Sequence, residues 1–246
     1  MVSVVINYCT NDERFIRKSL NNVLKVTDDV VVPISDHFFD GTPENFKSLE
    51  DLIIEYPNVT FKVYRWNNSQ FPRYWHNYSR IIGTHFAKYD WILYLDSDEI
   101  IEVEPFKKFL NSDLNQYDSY KLACYWYFRE PIYQSTHWED SPVLVKKNLV
   151  NINPFSVYLE REQMHEMLDV RKKRMVTIDG LPFVHHYSWV RTKDEMIKKV
   201  KTWAHNEDNL GKNWVELIED EFSGEFKGTD FVWKYTYNIV ENKFNL

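Results

Sequence analysis

An apolar run that ends abruptly in three carboxylates constrains this chain more than any other feature. Residues 91–99 read Trp-Ile-Leu-Tyr-Leu-Asp-Ser-Asp-Glu, and the apolar part has the composition of a buried strand. Crowded carboxylates repel one another and are costly to desolvate, and a divalent cation removes both costs. Alternate residues of an extended segment point the same way, so Asp96 and Asp98 share one face. The segment therefore indicates oxygen ligands for Mn²⁺ or Mg²⁺. The alternative is an acidic turn that caps the next helix and binds no metal.

The first two-fifths of the chain alternate predicted strands with predicted amphipathic helices. The strands are residues 2–6, 30–34, 60–64 and 91–95, and the helices are residues 12–24, 43–56 and 75–87. This order predicts an α/β fold with a mostly parallel sheet that helices cover on both faces. In open sheets of this kind, ligands bind beyond the carboxyl ends of the strands. Asn7, Ser35, Asp36 and the acidic cluster all fall at such ends, which strengthens the metal interpretation.

The remainder of the chain contains no internal repeat, low-complexity tract or linker. We therefore expect a single domain, 1–246, with a nucleotide-binding half over residues 1–100 and an acceptor half over residues 101–191. Apolar residues at helical spacing in 196–204 and 214–222 predict a helical C-terminal extension over residues 192–246. The lysines of its first helix fit a solvated face better than a lipid contact.

Composition narrows the classes of partner. The net charge of −7 argues against nucleic acid. Cys9 and Cys124 lie far apart without metal-ligand spacing, which excludes a disulfide scaffold or a zinc ribbon and favours a reducing compartment. We find no pattern of a signal peptide and no window long enough to be a transmembrane segment. We expect a cytoplasmic protein in which any membrane association is peripheral.

Four segments, in order along the chain, resemble glycosyltransferases of the GT-A fold. They are Val30–Glu44, which contains Asp-Gly-Thr, Leu95–Glu99, which is similar to the metal-binding DxD motif, Met164–Glu166, and Val184–Arg191. The pattern is that of the large inverting, family 2-like group of bacterial and viral sugar transferases. It covers residues 1–191 and implies a Rossmann-like GT-A sheet with Mn²⁺ or Mg²⁺ as cofactor. It also implies a UDP-, GDP- or dTDP-linked sugar as donor and a glycan or lipid-linked acceptor.

The resemblance implies particular contacts to the donor nucleotide. The family holds the base and the ribose at the ends of the first two strands, which points to Asn7, Cys9, Thr10 and Asp36. This chain departs from the family at one of these places. Relatives often have an acidic residue directly after the second strand, whereas Ser35 stands there and Asp36 follows one position later.

For the metal, the resemblance implies Asp96 and Asp98, with Asp96 also beside the bound nucleotide. A third ligand commonly comes from a histidine far downstream, and His186 matches that element better than His185. Neutral imidazole is a competent ligand for Mn²⁺ beside carboxylates. The alternative for the pair is a strand with one histidine in the core and the other in solvent. Arg191 is expected to reach the diphosphate, with a surface arginine as its alternative.

An inverting transfer needs a base that takes the proton of the acceptor hydroxyl as its oxygen attacks the anomeric carbon. Related enzymes place this carboxylate after the DxD motif and just before a strand such as residues 143–145. Asp140 is therefore the first candidate. Glu166 is the second candidate, and its alternative role is to orient the acceptor. Glu139 is the third candidate.

Two other classes of function stay open at this point. A sugar-phosphate nucleotidyltransferase shares the parallel sheet and the acidic site, but it should have a Gly-rich phosphate loop after the first strand. Residues 7–12 contain no glycine, which counts against this class. A carbohydrate-binding or scaffolding protein of the same fold, without catalysis, is the non-enzyme alternative. The sequence does not indicate the donor base, the sugar or the oligomeric state.

Overall fold

The computed structural model describes residues 1–150, 160–204 and 213–246. The first part alternates strands and helices as predicted, with bounds that differ by a few residues. Its elements are β1 Val2–Asn7, α1 Glu13–Val23, β2 Val30–Ser35, α2 Phe46–Glu55, β3 Thr60–Tyr64, α3 Pro72–Phe86 and β4 Trp91–Asp96. The helix predicted from residue 75 begins earlier because Pro72 occupies its first turn, where a missing N–H costs nothing.

The second part of the chain is richer in strands. Its elements are β5 Glu99–Ile101, α4 Val103–Leu110, β6 Ser119–Leu122, β7 Cys124–Phe128, β8 Glu130–Glu139, β9 Val143–Lys146, α5 Arg161–Met167, β10 Lys172–Val176, β11 Val184–Trp189, α6 Lys193–Thr202, α7 Trp214–Glu221 and β12 Tyr237–Ile239. The C-terminal segment contains the two predicted helices, α6 and α7. It is not entirely helical, because β12 pairs antiparallel with β8.

In the described part of the chain the strands form two sheets. The larger has seven strands in the order β10-β6-β9-β4-β1-β2-β3. Strands β4, β1, β2 and β3 are parallel, and β9 is antiparallel to its neighbours β4 and β6. The smaller sheet has five strands in the order β12-β8-β7-β11-β5. The predicted α/β fold, with a mostly parallel central sheet between helices, is confirmed.

The central strands β1, β2 and β4 of the larger sheet are buried on both faces. In β1, Val4 and Ile6 pack into a core with α1 and α2, and Val5 packs into a second core with residues of α3. This alternation follows from the two-residue period of a strand. Gly83 lets α3 approach the sheet closely, because a Cβ at this position would overlap a methyl group of Val5.

The register of the sheet determines where the polar strand ends meet. Asn7, the last residue of β1, lies directly opposite Asp96, the last residue of β4. The carboxyl ends of these parallel strands therefore form one edge, as the ligand sites of such sheets require. No helix among the described residues is long and apolar enough to cross a bilayer.

Candidate active site

A cleft of about 620 Å³ lies at the carboxyl ends of β1, β2 and β4 and continues to β8, β11 and the segment around residue 233. Its volume is typical of a small-molecule site. Asp96, Asp98 and His186 line it together with Asn7 and Cys9. With Glu139, which also lines the cleft, the structure brings together six of the predicted site residues.

Asp98 is buried, and its two carboxylate oxygens have different surroundings. Oδ2 accepts hydrogen bonds from Arg191 Nη2 at 3.3 Å and from Lys199 Nζ at 3.4 Å. Oδ1 is buried without a hydrogen-bond partner among the described residues, and His186 Nε2 lies 3.6 Å from it. Burial raises the pKa of Asp98, but Lys199, His186 and Arg191 outweigh this effect and lower the pKa overall. Asp98 is therefore an ionised carboxylate with one oxygen available.

Asp96 lies between two buried arginines. Arg161 Nη2 is 3.3 Å from its Oδ2, and Arg80 Nη2 is 3.4 Å from its Oδ1. Burial opposes ionisation, but these guanidinium groups lower the pKa of Asp96 well below its usual range. Glu99, the third carboxylate of the motif, is fully buried and accepts from Arg161 at 2.6 Å and from Ser141 at 2.7 Å. Glu99 therefore holds Arg161 beside Asp96.

The unpartnered Oδ1 of Asp98 and the adjacent imidazole fit a divalent cation. A carboxylate oxygen and a neutral histidine nitrogen are suitable donors for Mn²⁺. The described residues contain no group of three His, Cys, Asp or Glu side chains that could hold a metal ion. Asp96, predicted as a further ligand, faces Arg80 and Arg161 instead. The protein thus offers two donors, and bound diphosphate and water would have to complete the coordination.

The residues predicted to hold the nucleotide divide into two groups. Asn7 and Cys9 line the cleft, but Thr10 and Asp36 do not. The hydroxyl of Thr10 donates to Glu44 at 2.5 Å. Asp36 Oδ1 accepts a hydrogen bond from the backbone N–H of Trp66 at 2.8 Å and lies 2.8 Å from Nδ1 of His37. Both side chains are therefore already occupied within the loops that follow β1 and β2.

Two neighbours of Asp36 take its place along the cleft. Ser35 and His37 line it, on either side of the predicted residue. The ring of His37 packs against Trp66 with centroids 5.7 Å apart. The departure from the family pattern at Ser35 thus coincides with a different set of cleft residues.

Arg191, predicted to reach the diphosphate, does not line the cleft. Its side chain is fully buried, and its guanidinium donates to the carbonyl of Asn11 at 3.0 Å as well as to Asp12 and Asp98. These bonds join Arg191 to Asp98 and to the segment that follows β1. A buried arginine that fixes a carboxylate was not anticipated from the sequence.

Three other cations line the cleft, and sequence reasoning missed all of them. Arg80, from α3, and Arg161, from α5, are 2% and 1% exposed, and Lys199 comes from α6. One signal existed for Arg80: it follows His76 by one helical turn on the helix that precedes the acidic motif. Nothing in the local sequence distinguishes Arg161 from a surface arginine.

The three candidate bases also separate. Glu139 lines the cleft, whereas Asp140 and Glu166 do not. Asp140 is bound by Lys121 at 2.9 Å and by Arg174 at 3.0 Å, and Glu166 lies 3.4 Å from the same arginine. Successive residues of a strand point to opposite faces, so only one of two adjacent carboxylates at the end of β8 can enter the cleft. The predicted order, with Asp140 first and Glu139 last, is therefore not supported by their positions.

The cleft has a second half with a different character. Five tryptophans line it: Trp126, Trp189, Trp203, Trp214 and Trp233. Trp126 lies at the junction with the polar half, because its ring meets that of His186 edge to face with centroids 4.9 Å apart. The cleft therefore combines a charged half at the strand ends with an aromatic half formed by the smaller sheet and the C-terminal segment.

No model of a protein family matches the chain, and no curated protein matches it in sequence. Its structure, however, is similar to that of HddC from Yersinia pseudotuberculosis in complex with GMP-PN, with a TM-score of 0.52 at 11% sequence identity. The match covers 85% of this chain and 100% of HddC. The chain has a Rossmann-like GT-A fold. At this identity the likeness establishes the fold alone.

Two further solved structures resemble this GT-A fold less closely. S. aureus TarS 1–349 has a TM-score of 0.49 at 17% identity, over 90% of this chain and 72% of TarS. The mannosyltransferase PcManGT from Pyrobaculum calidifontis, in complex with GDP-Man and Mn²⁺, has a TM-score of 0.48 at 12% identity, over 81% of this chain and 60% of that one. Both TM-scores are below 0.5, so neither likeness bears on function.

Proposed function

We propose that the protein is a glycosyltransferase that moves a sugar from a nucleotide-sugar donor to a hydroxyl group of a glycan acceptor, with inversion and with a divalent cation. The observation that carries the proposal is the pair formed by Asp98 and His186. A buried, ionised carboxylate oxygen without a hydrogen bond lies beside an imidazole nitrogen, 3.6 Å away, in the cleft. This is the edge at which open parallel sheets bind ligands. The resemblance of the sequence motifs supports the same chemistry.

The polar half of the cleft suits a nucleoside diphosphate. Asn7 and Cys9 at the end of β1, and Ser35 and His37 after β2, offer polar atoms to a base and a ribose. The amide nitrogen of Asn7 is buried without a hydrogen-bond partner in the described structure. An unpaired buried amide is costly, so a bound nucleotide that accepts from it would gain affinity.

The cations of the cleft suit the diphosphate. Arg80 and Arg161 lie beside Asp96, and Lys199 lies beside Asp98. The shortest ion pairs of the two arginines, both 2.6 Å, are with Glu160 and Glu99. Guanidinium groups bind phosphate oxygens with strong, directional hydrogen bonds. A divalent cation on Asp98 and the neighbouring histidine would supply further positive charge to the departing diphosphate.

Glu139 is the proposed general base. The acceptor oxygen forms a bond to the anomeric carbon while the bond from that carbon to the diphosphate oxygen breaks. The hydroxyl proton passes to the Glu139 carboxylate, and the bonding electron pair leaves with the diphosphate. Burial raises the pKa of Glu139 above the ordinary value, which makes its carboxylate a stronger base. Its position at the junction of the two halves is consistent with a role between donor and acceptor.

Ligand-dependent thermal stability tests the proposal. A ligand that binds only the folded protein raises its melting temperature. The protein would be melted with UDP-, GDP-, CMP- and dTDP-linked sugars, each with Mn²⁺, Mg²⁺ or EDTA. We expect one nucleotide class to raise the melting temperature, with a larger shift in Mn²⁺ or Mg²⁺ than in EDTA. Asp98→Asn should lose the metal-dependent part, whereas the exposed control Asp51→Asn on α2 should keep it.

The same experiment separates the alternatives. A carbohydrate-binding protein without catalysis predicts no metal-dependent shift and an Asp98→Asn variant that behaves like wild type. With free nucleoside triphosphates added to the panel, a nucleotidyltransferase predicts that one of them gives a larger shift than any nucleotide sugar. Either result would overturn the proposed transfer reaction.

A further inference from the structure

The aromatic half of the cleft is closed by a turn near the C-terminus, residues 230–237. Asp230, which is 1% exposed, organises this turn. Its Oδ1 accepts from the backbone N–H groups of Trp233 and Lys234, and its Oδ2 accepts from the N–H of Tyr235 and the hydroxyl of Tyr237. A buried carboxylate with four donors fixes the backbone, including the left-handed φ of 63° at Lys234. The turn is therefore a built feature of the fold.

Pairing with β8 fixes the position of this turn. Thr136 N donates to the carbonyl of Thr236 at 2.9 Å, and the two threonine hydroxyls lie 2.9 Å apart. Because β8 ends at Glu139, the turn lies beside the proposed base. Tyr235 favours the ionised form of the Glu139 carboxylate and so opposes the rise of its pKa, and the Tyr235 ring stacks on His137 with centroids 4.9 Å apart. The turn thus lies next to the end of β8 that carries the base.

The turn also presents an aromatic face to the cleft. Trp233 lines the cleft and is 57% exposed, whereas Trp126 and Trp189 are 4% and 3% exposed. Trp214, deeper in the wall, packs edge to face on Trp203 with centroids 5.4 Å apart. An exposed indole held by a fixed backbone loses little entropy when a ligand stacks on it. Trp233 is therefore suited to binding.

The charges of this half indicate the kind of ligand. The arginines and the lysine that line the cleft, among the described residues, all pair with Asp96 or Asp98. The aromatic half thus presents Glu139 without a cation of its own, which disfavours a phosphorylated or carboxylated acceptor. A pyranose ring has an apolar face that packs on an indole and hydroxyl groups that reach a carboxylate and a phenol. An acyl chain would leave both polar groups unpaired.

We propose that the turn over residues 230–237 forms an acceptor subsite for an uncharged pyranose ring, which stacks on Trp233 and directs a hydroxyl group to Glu139 and Tyr235. This inference rests on the proposed function, because it assigns the acceptor of that same site. It names as binding residues two side chains from a segment in which the sequence predicted helix only.

Tryptophan fluorescence tests this subsite apart from the donor site. Cellobiose, chitobiose, maltose and lactose would be titrated into the full-length protein. We expect at least one of these disaccharides to change the emission, with Trp233→Ala weakening its binding at least tenfold and Trp233→Phe retaining most of it. The matched control is Trp138→Phe, because Trp138 is 40% exposed and does not line the cleft. The control should bind like wild type.

Separate outcomes identify the failure of each proposal. If the metal-dependent thermal shift with a nucleotide sugar is present but no disaccharide changes the emission, the acceptor subsite is wrong and the donor site stands. Equal affinity of wild type and Trp233→Ala would also overturn it. A response to dodecylphosphocholine with none to the sugars would reassign this half to a lipid and overturn the glycan inference.

Discussion

Arg191 holds Asp98 in place, with Nη2 3.3 Å from Oδ2 of the carboxylate. The same guanidinium is fixed by Asp12 and by the carbonyl of Asn11. One oxygen of Asp98 is thereby committed to the protein, and the other is left for a ligand. The arrangement resembles the second sphere of a metal site, in which outer groups orient the residue that binds.

Replacing Arg191 with methionine should destabilise the protein strongly. The substitution removes the guanidinium from the buried Asp98, which keeps only Lys199, and from the partly buried Asp12. Removal of one partner of a buried ion pair typically costs about 3–5 kcal/mol. Urea denaturation would measure the loss. The control is Arg17→Met, whose partner Glu55 is 2.8 Å away on an exposed surface, where such pairs are worth about 1 kcal/mol or less. Equal losses in both variants would contradict the structural role of Arg191.

Substitution of the two adjacent carboxylates Glu139 and Asp140 should separate their roles in transfer. With a nucleotide sugar and an acceptor identified by binding, Glu139→Gln should lower kcat by about 10²–10⁴-fold, the usual contribution of a general base. Asp140→Asn should keep the activity at any temperature at which it is folded, because Asp140 pairs with Lys121 and Arg174 outside the cleft. A large loss in Asp140→Asn with full activity in Glu139→Gln would restore the order predicted from the sequence.

The pH dependence of transfer should reflect Glu139 as well. A general base acts in its ionised form, and burial raises the pKa of Glu139 above the ordinary 4.5. Activity should therefore rise with pH and reach its plateau only above that value. Initial rates from pH 4 to 8 would show this limb. A rate that is constant over this range would exclude Glu139 as the titrating base.

Substitution of Gly83 by alanine should disturb the contact between α3 and β1. The added Cβ would overlap a methyl group of Val5, and overpacking of a core typically costs about 1–3 kcal/mol. Thermal and urea unfolding would report the loss. Gly224→Ala is the matched control, because a Cβ there meets no atom within 4 Å. A Gly83→Ala variant as stable as this control would mean that the sheet and helix can separate at no cost.

His165 should make the stability depend on pH between about 4 and 6.5. Burial lowers its pKa from 6.5 to about 4; Nδ1 lies 2.7 Å from the hydroxyl of Ser119, and Nε2 has no hydrogen-bond partner among the described residues. Below pH 6.5 the unfolded chain binds a proton that the folded chain excludes until about pH 4. Stability is therefore lost as the pH falls through this range, by up to about 3 kcal/mol at about 1.4 kcal/mol per pKa unit.

Denaturation curves of wild type and His165→Gln at pH 4.5 and 7 would measure this contribution. The variant should lose less stability than wild type on acidification. His85→Gln, at an exposed position of α3, is the control and should follow the wild-type curve. Identical pH dependence in His165→Gln and wild type would show that the imidazole is not the group responsible.

Local patterns were sufficient for the fold of residues 1–100. Four apolar runs separated by amphipathic helices have few arrangements other than a parallel sheet. The position of the acidic motif at the end of the fourth run then placed Asp98 at the ligand edge. These predictions succeeded because strand and helix periodicities are local properties of the sequence.

The positions of Glu139 and Arg80 depend on the tertiary structure. Which of two adjacent carboxylates enters the cleft depends on the pairing of β8 with β7 and β12, and β12 was not predicted. Arg80 and Arg161 are buried only because Asp96, Glu99 and other distant acids compensate their charge. Without such partners, an arginine or lysine on an amphipathic helix is expected on the face that is exposed to solvent.

The site is assembled across nearly the whole sequence. Asn11 donates to Thr202, 191 positions away, and Arg191 donates to Asp12, 179 positions away. Contacts of such high sequence separation form slowly, because the entropy of closing a long loop is lost before any contact forms. We therefore expect a nascent chain to fold its nucleotide-binding sheet well before Asp98 is fixed. During synthesis the cell would therefore contain partly folded chains in which the cleft around Asp98 is not yet complete.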